Sequence, residues 1–227
     1  MLAELITVKT ADGVDLDGAL YRAPAPAGPG PQILMVHGLT WNFYRGPSRW
    51  LPPRLAQAGY TCLSLNMRDH DLQEPKDFDL AHHDLRAGLD FLFEHGAHTA
   101  VILGHGYACN KIVRYPALSG DLRIRHWILT TMGSVKRHRP DIWQGGLQLA
   151  ARMAGQILVV QGAIDASLEG RARADELEAA VGDAAVEIVQ LEGGNHYFDG
   201  RHAELAGCVV EWLRTTASAD APRTPDR

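Results

Sequence analysis

The sequence predicts an α/β domain built on a mostly parallel sheet, and two observations carry that prediction. Short apolar runs bounded by turn residues alternate along the chain with segments whose apolar residues recur at helical spacing, which is the signature of repeated βα units. The 227 residues are also enough for one large buried core, and α/β chains of this size commonly stay undivided. A composition of 46% hydrophobic and 22% charged residues is that of a packed globular chain rather than a disordered or collagen-like one.

The elements follow in order. Residues 5–9 and 14–21 are strand-like runs separated by Ala11-Asp12-Gly13, a turn signal, so a hairpin opens the chain and forms the antiparallel edge of the sheet. The Pro- and Gly-rich stretch 23–31 excludes helix and inner strand and reads as a surface loop. Residues 32–37 and 61–66 are buried strands flanking a helix near 50–58, with Pro52 and Pro53 suited to its first turn. Residues 79–95 carry Leu80, Leu85, Leu89, Leu92 and Phe93 at helical spacing and should lie with one face on the sheet.

Residues 99–103 form the next strand, followed by a sharp turn at Gly104-His105-Gly106 and a helix from about Tyr107 that Pro116 is expected to kink or end. Residues 125–130, 157–161 and 186–191 supply three more strands. Between the first two, residues 137–154 break the rhythm and suggest a small cap insertion. The closing helix, 202–214, has Leu205, Val209, Trp212 and Leu213 as its apolar stripe. A single domain over residues 1–217, with 218–227 a polar frayed tail, is the expected organisation.

A formal net charge of -5 gives no basic face, so nucleic acid is a poor partner. The start of the chain lacks a basic segment followed by an apolar run, and no stretch approaches the ~18 apolar residues of a membrane span. The expectation is a soluble, cytoplasmic protein that engages no membrane. Cys62, Cys109 and Cys208 lie far apart in apolar surroundings, so they read as reduced and mostly buried. No cofactor and no metal are expected: His82 and His83 are adjacent and face different sides of their helix, unlike a zinc-binding i, i+4 pair.

Ligands of open α/β sheets collect at the carboxyl ends of the strands. Such ends carry His37-Gly38-Leu39-Thr40, Gly104-His105-Gly106-Tyr107-Ala108, Gly162-Ala163-Ile164-Asp165 and Gly193-Gly194-Asn195-His196-Tyr197. These segments, in this order, resemble those of the α/β-hydrolase superfamily: the HG loop, the G-x-S-x-G nucleophile elbow, the acid loop and the terminal histidine loop. The resemblance covers nearly the whole chain and implies a three-layer α/β-hydrolase fold, with a mostly parallel central sheet and helices on both faces. Asn42-Phe43-Tyr44, Asn66-Met67-Arg68-Asp69-His70 and Cys109-Asn110-Lys111 are further similar to the serine carboxylesterase group that includes siderophore esterases.

Carried over residue by residue, the resemblance makes Asp165 the acid, His196 the base, and the backbone N–H groups of Leu39 and Tyr107 the oxyanion donors, with Gly38 and Thr40 shaping that loop. The nucleophile position falls on Gly106, which has no side chain, and Ala108 stands where the elbow usually has another glycine. The frame of a triad is kept without its attacking atom; Tyr107 and Cys109 are poor replacements, because an elbow presents one side chain and Cys109 lies within the helix.

Three readings follow. His196, oriented by Asp165, acts as a general base on a small, partly apolar carbonyl compound without a covalent intermediate, as a hydrolase, lyase or isomerase. Alternatively the site is degenerate and only binds a small molecule or a protein partner. In the third, a serine esterase has had its nucleophile removed by engineering. Plainer roles compete for the same residues: Asp165 as a helix cap, His37 and His105 as structural groups, Arg68 and Arg137 as solvated surface. Asp69-His70-Asp71 suits a polar loop at the pocket rim, and Trp41, Phe43, Tyr44 and Trp143 either an aromatic wall or plain core.

Overall fold

The computed structural model describes residues 2–24, 30–39, 41–70, 78–132, 140–164, 170–182 and 184–217. Thr40, Arg137, Asp165 and the tail 218–227 therefore lie outside the described residues.

The opening hairpin forms as expected, with β1 (Glu4–Lys9) and β2 (Asp15–Tyr21) antiparallel. Thr10 closes its turn: its hydroxyl donates to Asp12 at 2.6 Å and accepts the Val14 amide at 2.9 Å. The remaining strands are β3 (Gln32–Val36), β4 (Cys62–Leu65), β5 (Ala100–His105), β6 (His126–Thr130), β7 (Gln156–Gly162) and β8 (Ala185–Leu191). They order as β1-β2-β4-β3-β5-β6-β7-β8 in one eight-stranded sheet, antiparallel only where β2 meets β1 and β4. β3, β5 and β6 are continuous apolar runs because both faces of the sheet are covered.

Two cores separate the layers. On one face, Leu34, Ile102, Leu129 and Val159 pack beneath α2 (Ala81–Glu94), α3 (Ala108–Ser119), α4 (Pro140–Ala150) and α5 (Gly170–Ala180). On the other, Ile33, Met35, Leu103 and Leu158 meet α1 (Pro47–Gln57) and α6 (His202–Trp212). The alternation of side chains along a strand sends successive residues into opposite cores, and it sets the directions of His105 and its neighbours at the end of β5.

Helix α1 begins earlier than expected. Pro47 occupies the first turn, so Pro52 and Pro53 sit in the helix interior, where Pro52 cannot donate to the Ser48 carbonyl. The Ser64 hydroxyl of β4 lies 3.3 Å from that carbonyl as the longer branch of a shared hydrogen bond whose shorter branch, 3.0 Å, goes to the Phe43 carbonyl. Pro116 also fails to end its helix: α3 continues to Ser119 and closes at Gly120 in the left-handed conformation. Tertiary packing of a helix buried from Ala108 to Pro116 outweighs the lost backbone bond.

The segment 137–154, expected as a cap, contributes α4, which packs against α3 and α5 as part of the crossover between β6 and β7. Arg114 of α3, buried, runs beneath Gly145 and Gly146 of α4, where an added Cβ would stand 2.9 Å from a guanidinium nitrogen at either position. Cys62 and Cys109 are buried and Cys208 is half-buried, all as free thiols. Among the described residues no helix is long and apolar enough to cross a membrane.

Candidate active site

The site is assembled at the carboxyl ends of the central strands. β5 ends at His105, and Gly106 then takes φ +58°, a left-handed conformation that glycine adopts without penalty. The Gly106 amide donates to the Thr130 carbonyl at 2.9 Å, so the turn is pinned to β6. Tyr107 caps α3 and is buried. A Cβ built on Gly106 would lie 3.4 Å from His196 Nε2, 3.7 Å from His196 Cε1 and 4.0 Å from the Thr131 carbonyl oxygen. The turn residue and the histidine, 90 positions apart in sequence, thus face each other at the distance a side chain would bridge.

His196 sits in the loop between β8 and α6. That loop is locked locally: Asn195 Oδ1 accepts the amides of Tyr197 and Asp199, each at 3.0 Å, and Phe198, fully buried with φ +57°, roots it in the core. It also rests on the end of β7. The Ile164 amide donates to the Gly194 carbonyl at 2.9 Å, and Gly162 lies so close that a Cβ there would collide with the Gly194 and Asn195 carbonyls. The segment leading to position 165 is therefore in contact with the histidine loop, although Asp165 itself falls outside the described residues.

The Gly38 turn joins the site from β3. A Cβ on Gly38 would stand 3.3 Å from the His105 carbonyl, a tight contact that glycine avoids where the turn brings Leu39 near the elbow. His37 holds that turn: its Nε2 accepts the Met67 amide at 2.9 Å, which places the ring proton on Nδ1 for donation to the Gly38 carbonyl at 2.8 Å. Burial, reinforced by the nearby Lys111 ammonium, pushes the His37 pKa down to about 4, so the ring is neutral. The structural role expected for His37 is the one these bonds describe.

His105 is also buried and braces the histidine loop. Its Nδ1 lies 3.1 Å from the Thr130 hydroxyl and 3.0 Å from the Thr131 hydroxyl. Thr130 donates its own proton to the Gly104 carbonyl and Thr131 donates to the His196 carbonyl, so both hydroxyls accept from a proton on His105 Nδ1. The His105 ring stacks on Trp41 (centroids 5.4 Å apart, 16° between planes) and lies 5.1 Å from the His196 ring.

Several expectations change. Arg68 is not solvated surface: it pairs with Asp84 and Asp12 at 2.8 Å each, its side chain only 9% exposed. Asp69 does not line a rim; it forms a 2.5 Å buried ion pair with Lys111 behind the Gly38 turn. Of the proposed aromatic wall, Trp41 adjoins the site; Phe43 packs on Ala19, Tyr21 and Ala56, Tyr44 is exposed under Arg49, and Trp143 is core, donating to Glu176 at 2.6 Å. Cys109 is unsuited to attack, since burial pushes its thiol up to about 12.

Two residues escaped the sequence reading. Tyr197 packs on Trp41 (5.1 Å) and edge-on to His196 (5.0 Å) while 43% exposed, and it follows the histidine directly in sequence. Thr131 follows the one central strand whose carboxyl end drew no attention. Among the described residues, no group of three or more His, Cys, Asp or Glu side chains gathers in a way that could hold a metal ion.

The architecture is the three-layer α/β-hydrolase fold. No protein-family model and no curated protein matches the sequence. Among solved structures the chain is similar to dienelactone hydrolase from Anabaena variabilis, with a TM-score of 0.76 at 18% identity over 95% of this chain and 98% of that one. It is similar also to an alpha/beta hydrolase from a Penicillium species, TM-score 0.76 at 13% identity over 96% and 100% of the two chains. A third is an alpha-beta serine hydrolase homologue from Coxiella burnetii, TM-score 0.71 at 18% identity over 93% and 97%.

Proposed function

We propose that the protein is a serine-free enzyme of the α/β-hydrolase fold, in which His196 acts as general base on a small, partly apolar carbonyl compound in the cytoplasm, with no covalent acyl-enzyme. The observation that carries this reading is the 3.4 Å between His196 Nε2 and the point where a Gly106 side chain would begin. A base aimed at a nucleophile position is retained, in a loop fixed from several sides, while the position itself carries only hydrogen. Asp165 orients the imidazole in this reading, which is supported by the contact of Ile164, the residue before it in sequence, with the Gly194 carbonyl of the histidine loop.

The Leu39 and Tyr107 amides serve as oxyanion donors, with Gly38 and Thr40 shaping the loop. Support comes from the close approach of Gly38 to His105 and from the position of Tyr107 at the head of α3, where the helix dipole favours developing negative charge. Trp41 and Tyr197 supply an apolar flank for the substrate. Hydrolases and esterases among structures of the same fold agree with carbonyl chemistry.

The test is His196→Ala assayed against a panel of activated carboxylic esters and lactones, phenyl acetate included. General-base catalysis is worth typically ~10²–10⁴-fold, so turnover should fall by at least ~100-fold with the fold intact. A parent that turns over no member of the panel, yet binds one with an affinity unchanged by His196→Ala, would make this a binding module instead.

A further inference from the structure

A second acceptor lies close to Gly106. Besides His196 Nε2, the Thr131 carbonyl oxygen comes within 4.0 Å of a Cβ built there. Its direction is unusual. The Thr131 amide continues the ladder by donating to the Val160 carbonyl at 2.9 Å, but Thr131 then takes φ +40°, a left-handed conformation in which a β-branched residue is an outlier. The chain thus leaves β6 abruptly, and the Thr131 carbonyl is turned from the sheet towards the elbow. The same residue holds the other acceptor in place, because its hydroxyl donates to the His196 carbonyl.

A serine hydroxyl has one proton and can serve only one of these acceptors. A water molecule has two. We propose that the space over Gly106 is the site of the attacking water, which donates one proton to His196 Nε2 and the other to the Thr131 carbonyl, making Thr131 a catalytic residue. With both protons engaged, the oxygen lone pairs face the open side, where the substrate carbonyl is presented.

The step then balances without any protein adduct. The water oxygen bonds to the carbonyl carbon as its proton passes to His196 Nε2, and the carbonyl π electrons move onto oxygen. The tetrahedral anion collapses, the bond to the leaving oxygen breaks, and that oxygen takes the proton back from the imidazolium. Ester and water become acid and alcohol. Glycine suits the position because a side chain would occupy the water's place.

This inference rests on the proposed general-base reading and specifies its nucleophile. The experiment is a crystal structure of the wild-type protein at a resolution that orders waters, beside Gly106→Ala, and a single turnover of phenyl acetate in ¹⁸O-water followed by mass spectrometry of protein and product. Expected are a water within hydrogen-bond distance of both His196 Nε2 and the Thr131 carbonyl, its loss in Gly106→Ala together with ~100-fold slower turnover, and acetate carrying one ¹⁸O with no acetylated protein. A site with no such water, a water bonded to only one of the two acceptors, or an acetyl adduct overturns the proposal. The wild-type structure decides this even if Gly106→Ala does not fold. Turnover abolished by His196→Ala without that water leaves the general-base reading standing and removes only the water site; turnover indifferent to His196→Ala removes both.

Discussion

The Thr131 hydroxyl donates to the His196 carbonyl across 3.2 Å, tying the end of β6 to the loop that carries the base. Thr131→Val keeps the shape and removes this bond together with the one to His105. His105 Nδ1 keeps the Thr130 hydroxyl, so the loss is chiefly that of the part-buried bond to the His196 carbonyl, about 1 kcal/mol, and denaturant unfolding should move to lower midpoint. Turnover should fall with it, while Thr131→Ser should restore both. Equal losses in the two variants would show that the methyl group, not the hydroxyl, is what matters.

Gly106→Ser should create a conventional nucleophile. The new Cβ sits in ordinary contact with His196 at 3.4 Å, and Oγ can reach Nε2. We expect a fluorophosphonate probe to label this variant at position 106, and phenyl acetate to give a burst of phenol from an acyl-enzyme. The backbone strain of a serine at φ +58° costs about 1–2 kcal/mol, a loss visible in thermal unfolding. Absence of labelling in a folded variant would mean that His196 is not held as an active base.

His37 makes stability depend on pH in a defined window. Its pKa falls from 6.5 to about 4 on folding because burial penalises the charged ring. Between those values the unfolded chain binds a proton that the folded chain refuses, so this contribution is complete above pH 6.5, declines as pH drops and is exhausted below about 4. The whole term is on the order of 3 kcal/mol. His37→Gln, compared with the wild type by urea unfolding across this range, should flatten that part of the profile.

The Lys111–Asp69 pair is buried on both sides, with side-chain exposures of 3% and 4%. Removing one partner strands the other charge, so Lys111→Met or Asp69→Leu alone should destabilise by about 3–5 kcal/mol, and the double variant should recover most of that loss. Thermal unfolding of the three variants reads the coupling. Additive losses would show that the two groups do not depend on each other.

Much of this was legible in the sequence because the informative signals were local. Apolar runs such as Ile33–Val36, bounded by turn residues, locate the strands wherever both faces of a sheet are buried. The HG loop and the histidine loop are marked by glycine placed just after strands, where a turn brings bare backbone against its neighbour; Gly38 and Gly194 do so in the structure. Less local features stayed hidden. Arg68 and Asp69 look like a solvated polar loop until the fold brings Asp12, Asp84 and Lys111 to them from distant positions. The start of α1 is hidden because paired prolines normally announce a first turn, whereas here Pro47 takes that place and Pro52 and Pro53 fall inside the helix. Thr131 carries no signal of its own, since nothing in a threonine announces a positive φ.

The glycine pair in α4 has a practical consequence for anyone seeking a hardier protein. Replacing helical glycine by alanine is a routine way to raise melting temperature, worth up to about 1 kcal/mol per site. At Gly146 that recipe should backfire, because the new methyl would press on the Val113 methyl at 3.0 Å as well as on the Arg114 guanidinium at 2.9 Å, whereas at Gly145 it meets the guanidinium alone and the gain should merely shrink. The buried Arg114 guanidinium lies where helix propensity would otherwise be gained, and thermostabilising libraries should leave Gly146 untouched.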